Sequence, residues 1–457
     1  MLSNKALSGG CMFLLAVVSP LIAGEDSSRH DVTPAQHVGE MVHVEVLVEA
    51  EGKLKMVRGD KAETIPMNVT GRLTYDEKRL AEGVLPSHHP RSIRYYDQAE
   101  VTMKLDKTEL KSDLSEPRRT ILAECGSDGQ TLFSPLGSLT RDELDLISLP
   151  ASSLLIEGLL PTQPIAVDER WPIDADLLAA LLELDAVGTS DVKARLVAMT
   201  ERSAKFELEG TVNGAIDGVS TEMKIKAKYR LNLGRRHLDW LAIVIREKRS
   251  VGYAAPGVEA VARVQMKISP LESSGHFSDA AMEQITLQDH PELKRLRYRS
   301  NLSRVEFLYG RRWRIMGEES DRLTMRCIDR GELLAQCNVA VLPKEAKGKR
   351  LPLEKFQTDI RRALGESFGR FVRAAESGDE QGRAVYRVVV RGQASELPMT
   401  WIYRFVADRE GNQVVFVVTA EEELMPRVGD ADERLVESVR FVDRKIASAA
   451  RPRPRAQ

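Results

Sequence analysis

Glu222-Met223-Lys224-Ile225-Lys226-Ala227-Lys228-Tyr229-Arg230-Leu231-Asn232-Leu233 alternates apolar and polar residues without a break. Met223, Ile225, Ala227, Tyr229, Leu231 and Leu233 fall on one side of an extended chain. Glu222, Lys224, Lys226, Lys228 and Arg230 fall on the other. A period of two over such a length marks a strand with one dry and one wet face, which antiparallel sheets supply. Strand patterns at 190–200, 203–213, 237–250 and 258–269 surround it. The strand before it offers Glu207 and Glu209, so cross-strand charge pairing accounts for the lysines on a solvated face. The same stripe is the one surface feature that suggests a partner, an anionic polymer or headgroup, but the charge-paired solvated face is the stronger reading.

Working outward, Val42, Val44, Val46 and Val48 alternate with His43, Glu45 and Glu49, and further strands are expected at 64–75, 91–105, 118–125 and 130–134. Thr140-Arg141-Asp142-Glu143 is a capping box that opens a short helix. Residues 152–160 and 174–184 read as two more helical pieces, and the loop between them leads to Trp171 as an anchor. Residues 38–271 are thus a β-dominated domain, an antiparallel sheet or half-barrel of about ten strands with short helices. Leu155, Leu159, Leu178 and Leu182 are core residues, and they mark where an apolar ligand would sit if there were one. The polar stretch 25–37 is expected to be loose.

The pattern lapses over 272–300, which reads as a linker, so the two halves are expected to be separable. Residues 301–445 read as α+β, with strands at 303–308, 311–316, 322–328 and 333–341 and a helix on which Leu353, Phe356, Ile360, Ala363, Leu364 and Phe368 recur. A meander follows at 385–391, 400–407 and 413–419. Val414-Val415-Phe416-Val417-Val418 is apolar on both faces and is expected at the centre of its sheet. Asp430 and Glu433 have the spacing of a second capping box. A two-residue turn at Arg330-Gly331 would place Cys327 opposite Leu334 and Cys337 opposite Thr324, too far apart along the ladder for a disulfide. Residues 446–457 form a basic tail expected to be disordered.

Three phrases, Arg311-Arg312-Trp313, Gly331-Glu332-Leu333-Leu334-Ala335-Gln336-Cys337-Asn338 and Pro398-Met399-Thr400-Trp401-Ile402-Tyr403, resemble an uncharacterised family of exported bacterial two-domain proteins. The order of elements over 303–443 is similar to the PsbP/Mog1-type α/β sandwich, an antiparallel sheet between helices. That resemblance implies a binding or assembly module without catalytic residues, and no site residue transfers from it. The long strands of the first domain around a helical middle resemble lipoprotein-carrier half-barrels.

Met1 and Lys5 precede an apolar run from Cys11 to Val18, and Pro20 with small residues through Gly24 closes the segment. A cationic start, an apolar run of about 7–15 residues and a small-residue exit read as a signal peptide, residues 1–24. The mature chain is therefore expected to be exported to the periplasm or beyond, with no transmembrane segment. Cys11 opens the apolar run instead of following it, which argues against a lipobox. A formal charge of −2 speaks against a nucleic-acid binder, and 5% aromatics leaves little for stacking platforms.

The chemical motifs are sparse. Ser190-Asp191-Val192-Lys193 has Ser-x-x-Lys spacing but starts a strand and lacks the motifs that accompany it in β-lactamases. His88-His89 are adjacent and point apart. Gly348-Lys349-Arg350 lacks the spacing of a phosphate loop. The acids Asp142, Glu143 and Asp145 suit the first turn of a helix, and Glu421-Glu422-Glu423 reads as a strand end. No catalytic, cofactor-binding or metal residues are assigned, and no cofactor is expected. The expected function is non-enzymatic: a binding or assembly protein of the bacterial envelope whose partner is an envelope protein or a lipid. The alternative is a carrier of an apolar ligand in the first domain.

Overall fold

The computed structural model describes residues 29–442, apart from residues 36, 59–60, 82–88, 127–128, 254, 286, 288–289, 301–303, 320–321 and 379–381. Residues 1–24, read above as a signal peptide, and residues 446–457, read as a tail, lie outside the described residues. The chain is β-rich, with large antiparallel sheets. Thirteen strands form the first: β1 Met41–Arg58, β2 Lys61–Ala81, β3 Arg91–Leu105, β4 Thr108–Asp113, β5 Thr120–Gly126, β6 Gly129–Phe133, β7 Arg170–Pro172, β8 Ala186–Ser190, β9 Lys193–Met199, β10 Ser203–Ile216, β11 Val219–Asn232, β12 His237–Arg249 and β13 Gly257–Pro270. Their order is β6-β5-β3-β2-β1-β13-β12-β11-β10-β9-β7, with β4 on β3 and β8 on β10. It is one open sheet, larger than the ten-strand expectation, and β1 pairs with β13 to join its two halves.

Alternation decides the faces. Val44, Val46 and Val48 of β1, Met223, Ile225, Ala227, Tyr229 and Leu231 of β11 and Leu241, Ile243 and Ile245 of β12 point inward and are buried. The intervening charged residues point out. The inner face is covered by the segment between β6 and β8. Its first helix, Arg141–Ile147, carries the expected capping box: Glu143 N donates to Thr140 Oγ1 at 3.1 Å, and Thr140 N donates to the Glu143 carboxylate at 2.9 Å. Residues 152–160 are not a full helix; only Ile156–Leu159 forms a 3-10 turn. The helix Ala175–Leu182 is capped by Asp174, whose carboxylate accepts from Asp176 N and Leu177 N. The stretch expected to be loose is tied down as far as it is described. Val32 is buried, His30 bridges to Ile165, and Asp31 pairs with Arg236 at 2.9 Å.

Ten further strands follow: β14 Leu296–Arg299, β15 Val305–Tyr309, β16 Trp313–Glu319, β17 Arg322–Asp329, β18 Glu332–Leu342, β19 Phe368–Gly378, β20 Ala384–Ala394, β21 Leu397–Ala407, β22 Gln413–Glu421 and β23 Arg440–Phe441. A seven-stranded sheet runs β16-β17-β18-β22-β21-β20-β19 and a three-stranded one β14-β15-β23. β22 holds the middle of the seven, as its doubly apolar sequence requires. The helix Leu353–Leu364 covers one face through Phe356 and Ile360, and the helix Ala431–Glu437 covers the other through Leu435 and Val436.

Several details depart from the sequence reading. The first of these helices stops at Leu364 because Gly365 takes φ +54°, and Phe368 starts edge strand β19 instead of extending the helix. Asp430 does not cap the last helix; its carboxylate takes Arg434 at 2.9 Å. The turn pairs Asp329 with Glu332 as expected, but a bulge between Cys327 and Ile328 shifts the ladder by one. Cys327 therefore faces Ala335 and Cys337 faces Met325. Cys125, Cys327 and Cys337 are all buried free thiols.

The stretch read as a linker packs closely. Phe277 joins Ile93, Leu122 and Phe133 in a small apolar cluster on the outer side of β3, β5 and β6. Arg297 N donates to Leu139 O at 2.7 Å, and Lys294 pairs with Glu124 at 2.9 Å. Leu296, Val305, Phe307, Tyr309 and Trp313 share one buried cluster with the leucines of the first unit. Two hairpin tips meet there. Gly218 (φ +66°) and Gly331 (φ +85°) lie so close that a Cβ on Gly218 would sit 1.5 Å from the Cα of Gly331. Beside them Arg314 pairs with Asp217. Gly331→Ala should lower stability by about 1–3 kcal/mol in urea unfolding, because the added methyl overpacks the contact. Gly348→Ala is the control for backbone strain alone: it shares the left-handed conformation (φ +73°) with open space around it. It should lose distinctly less.

Candidate functional site

The wet face of the first sheet carries an open concavity of about 1120 Å3 across β9, β10, β11 and β12. Seven cations line it (Arg170, Lys193, Arg195, Lys224, Lys226, Lys228 and Arg246) against three acids, Asp191, Glu207 and Glu209, over a floor that includes Ala242 and Val244. The register gives the cross-strand pairs the sequence implied: Glu207 opposes Lys228 and Glu209 opposes Lys226, with ion-pair distances of 3.2 and 3.5 Å. Arg195 bridges Asp168 and Glu207 at 3.2 and 3.0 Å. Exposed pairs of this kind contribute only about 0.2–1 kcal/mol each, so an arriving anion can exchange for the acids. Among the described residues, Arg170, Lys193 and Arg246 have no ion-pair partner.

Among the described residues, the spaces found on the inner face are far smaller. Leu155, Leu159, Leu178 and Leu182 are each at most 4% exposed. The two spaces found between the insert and the sheet measure about 30 and 20 Å3, enough for about one water each. The larger is lined by Glu40, Glu77, Arg79, Ser153, Glu157 and His237 among others, and it belongs to a buried polar network. Glu77 of β2 accepts from Ser92 Oγ at 2.7 Å, Arg94 Nε at 2.8 Å and Ser153 Oγ at 2.7 Å. Arg94 also donates to Ser152 Oγ at 2.8 Å. Burial pushes the Glu77 carboxyl up, but Arg94 and the two serines outweigh it and hold the carboxyl below its usual range.

The network continues to the far side of the insert. Glu157 takes Arg79 at 3.2 Å and His237 Nδ1 at 2.9 Å, while His237 Nε2 reaches Glu40 at 2.6 Å. Tyr229 and Trp171 both donate to Leu159 O at 3.2 Å, so Trp171 anchors the insert as its sequence context suggests. This arrangement fixes a loop to a sheet.

The remaining motifs disperse. Ser190 ends β8 and Lys193 starts β9, and Ser190 Oγ accepts from Val192 N at 3.2 Å. His89 is exposed and His88 lies outside the described residues. Asp145 pairs with Arg141 at 3.4 Å, and Glu422 with Arg391 at 3.1 Å. Gly348 makes a turn, its N–H donating to Arg409 O at 2.9 Å. The network residues escaped sequence reading because charge on a strand signals solvent, whereas these charges sit on the dry face.

No family model matches the sequence, and no curated protein matches it. Among solved structures the chain is similar to cyanobacterial PsbP from Synechocystis sp. PCC 6803, at 15% identity and TM-score 0.27 over 32% of this chain and 92% of that one. It is similar to the Ran-binding protein Mog1p of Saccharomyces cerevisiae at 10% identity and TM-score 0.27, over 33% of this chain and 97% of that one. The translocator domain of the autotransporter NalP from Neisseria meningitidis aligns at 8% identity and TM-score 0.14, over 85% of this chain and 90% of that one. These likenesses are partial and weak, and no function follows from them. Among the described residues no helix is long and apolar enough to cross a membrane.

His237 makes the network pH-sensitive. Burial opposes its charge, but the hydrogen bonds it donates to Glu157 and Glu40 prevail and raise its pKa to about 9 from the ordinary 6.5. A folded-state pKa above the unfolded one gives stability that is complete below about pH 6.5 and lost as pH rises through about 9. Urea unfolding should therefore show a decline on the order of 3 kcal/mol across that window. In His237→Gln the decline should vanish.

Proposed function

We propose that the chain is an exported, non-catalytic binding or assembly protein of the bacterial cell envelope. It works through the wet face of its first sheet and takes a partner of predominantly negative charge. The single observation that supports this most is the contrast between the two faces. The outer one presents a large cation-rich concavity with replaceable ion pairs, while the inner one packs the insert and, among the described residues, the spaces found there are water-sized. Export rests on the reading of residues 1–24. We further read the second unit as a sandwich of the PsbP/Mog1 type, on the order of its elements and the helix on each face of its sheet.

The test uses the mature chain on an immobilised anionic polymer. Wild type should be retained at low salt and eluted by moderate salt, as counterion-dependent binding requires. K224Q/K226Q/K228Q should flow through while its unfolding free energy falls by no more than about 2 kcal/mol, the loss of exposed ion pairs. Equal retention of the two proteins would contradict the assignment of this face. So would a lipid mass carried by wild type in native mass spectrometry, which would favour the carrier alternative.

A further inference from the structure

His43, Asp76 and Asp97 come from three neighbouring strands and bring one nitrogen and two carboxylate oxygens within 4.8 Å of one another. The fold produces this meeting in two ways. His43 of β1 stands directly opposite Asp76 of β2, with Nδ1 2.8 Å from Oδ1. Asp97 is the extra residue of a bulge in β3, between the pairs Thr74↔Gln98 and Tyr75↔Tyr96. Bulges re-aim a side chain that regular alternation would send elsewhere.

A fourth group comes from the docked stretch after β13. Ser274 Oγ donates to the second oxygen of Asp76 at 2.7 Å. Next to it the His276 ring stacks on Tyr95, centroids 3.5 Å apart and planes within 9°, which brings Nε2 to 3.9 Å from the Asp97 carboxylate. Among the described residues, no lysine or arginine pairs with either aspartate. Two carboxylates therefore face each other with only imidazoles between them.

We propose that His43, Asp76, Asp97 and His276 bind a divalent transition ion of the zinc class. Two imidazoles and two carboxylates are a borderline donor set that suits zinc better than the all-oxygen shell of magnesium or calcium. Bonds of about 2.0–2.2 Å to a tetrahedral ion put ligand atoms about 3.4 Å apart. The His43–Asp76 contact of 2.8 Å lies below that spacing and Asp97 is within 4.8 Å of both, while His276, 3.9 Å from Asp97, stands outside this group of three and swings in as the fourth ligand. The ion replaces the His43–Asp76 hydrogen bond with two coordinate bonds and leaves Ser274 orienting the free oxygen of Asp76, as outer-shell partners do. Because His276 comes from the stretch that leads to the second unit, the ion clamps that stretch to the first sheet.

The experiment titrates chelator-treated, untagged mature chain with zinc alone, followed by calorimetry and thermal unfolding. One ion per chain is expected, with a rise in melting temperature, and cobalt in its place should show the visible bands of a tetrahedral site. His276→Ala, an exposed change on the docked stretch, should weaken binding at least tenfold and abolish the thermal shift. Asp97→Asn should do the same, which keeps the test informative if one variant misfolds. His89→Ala should leave binding unchanged. Absence of saturable binding would overturn the proposal, as would binding that survives both His276→Ala and Asp97→Asn at full strength.

Discussion

The buried pair between Glu77 and Arg94 is the joint on which the first unit depends. A sheet of thirteen strands offers a broad apolar face, and the short helical pieces that cover it are too small to be stable alone. Leucines supply the burial, yet apolar contact is non-directional and would accept several placements of the insert. Ser152 and Ser153 of the insert remove that freedom by bonding the Glu77–Arg94 pair of the sheet, because any other placement would strip those hydrogen bonds from a buried ion pair. The second unit uses the same device. Asp432, on its last helix, takes Arg404 at 2.6 Å and Arg387 at 3.2 Å from the sheet beneath.

The proposed function rests on what this fixing leaves over. With the dry face committed to the insert, ligand-sized room is found on the wet face, where the charges are exposed and weakly coupled. That face differs from the apolar, lipid-facing band of a transmembrane barrel. Lys226 and Lys228 remain mostly in solvent even while paired, so meeting a partner there requires little desolvation.

Much of this was legible in the sequence, and the reason is periodicity. The alternation of β11 sets both its burial and its register against β10, and the doubly apolar run at 414–418 places β22 at the centre of its sheet. What stayed hidden depends on long-range register or on local exceptions to alternation. Glu77 and Arg94 break the hydrophobic pattern of the dry face, so each reads as the end of a strand or as a solvent position. His43, Asp76 and Asp97 are far apart in sequence, and a bulge brings Asp97 to the others. The one-residue shift at Cys327 has the same origin, a bulge with no composition signal of its own.

A double-mutant cycle on Glu77 and Arg94, by urea unfolding at neutral pH, addresses the central claim most directly. Glu77→Leu and Arg94→Met should each lower stability by about 3–5 kcal/mol, since each leaves the other charge buried and unpaired. The double variant should lose well under the sum of the two, with a coupling of at least about 2 kcal/mol. Two small and additive losses, each below about 1 kcal/mol, would contradict the account, because the buried pair would then contribute little to the stability of the first unit.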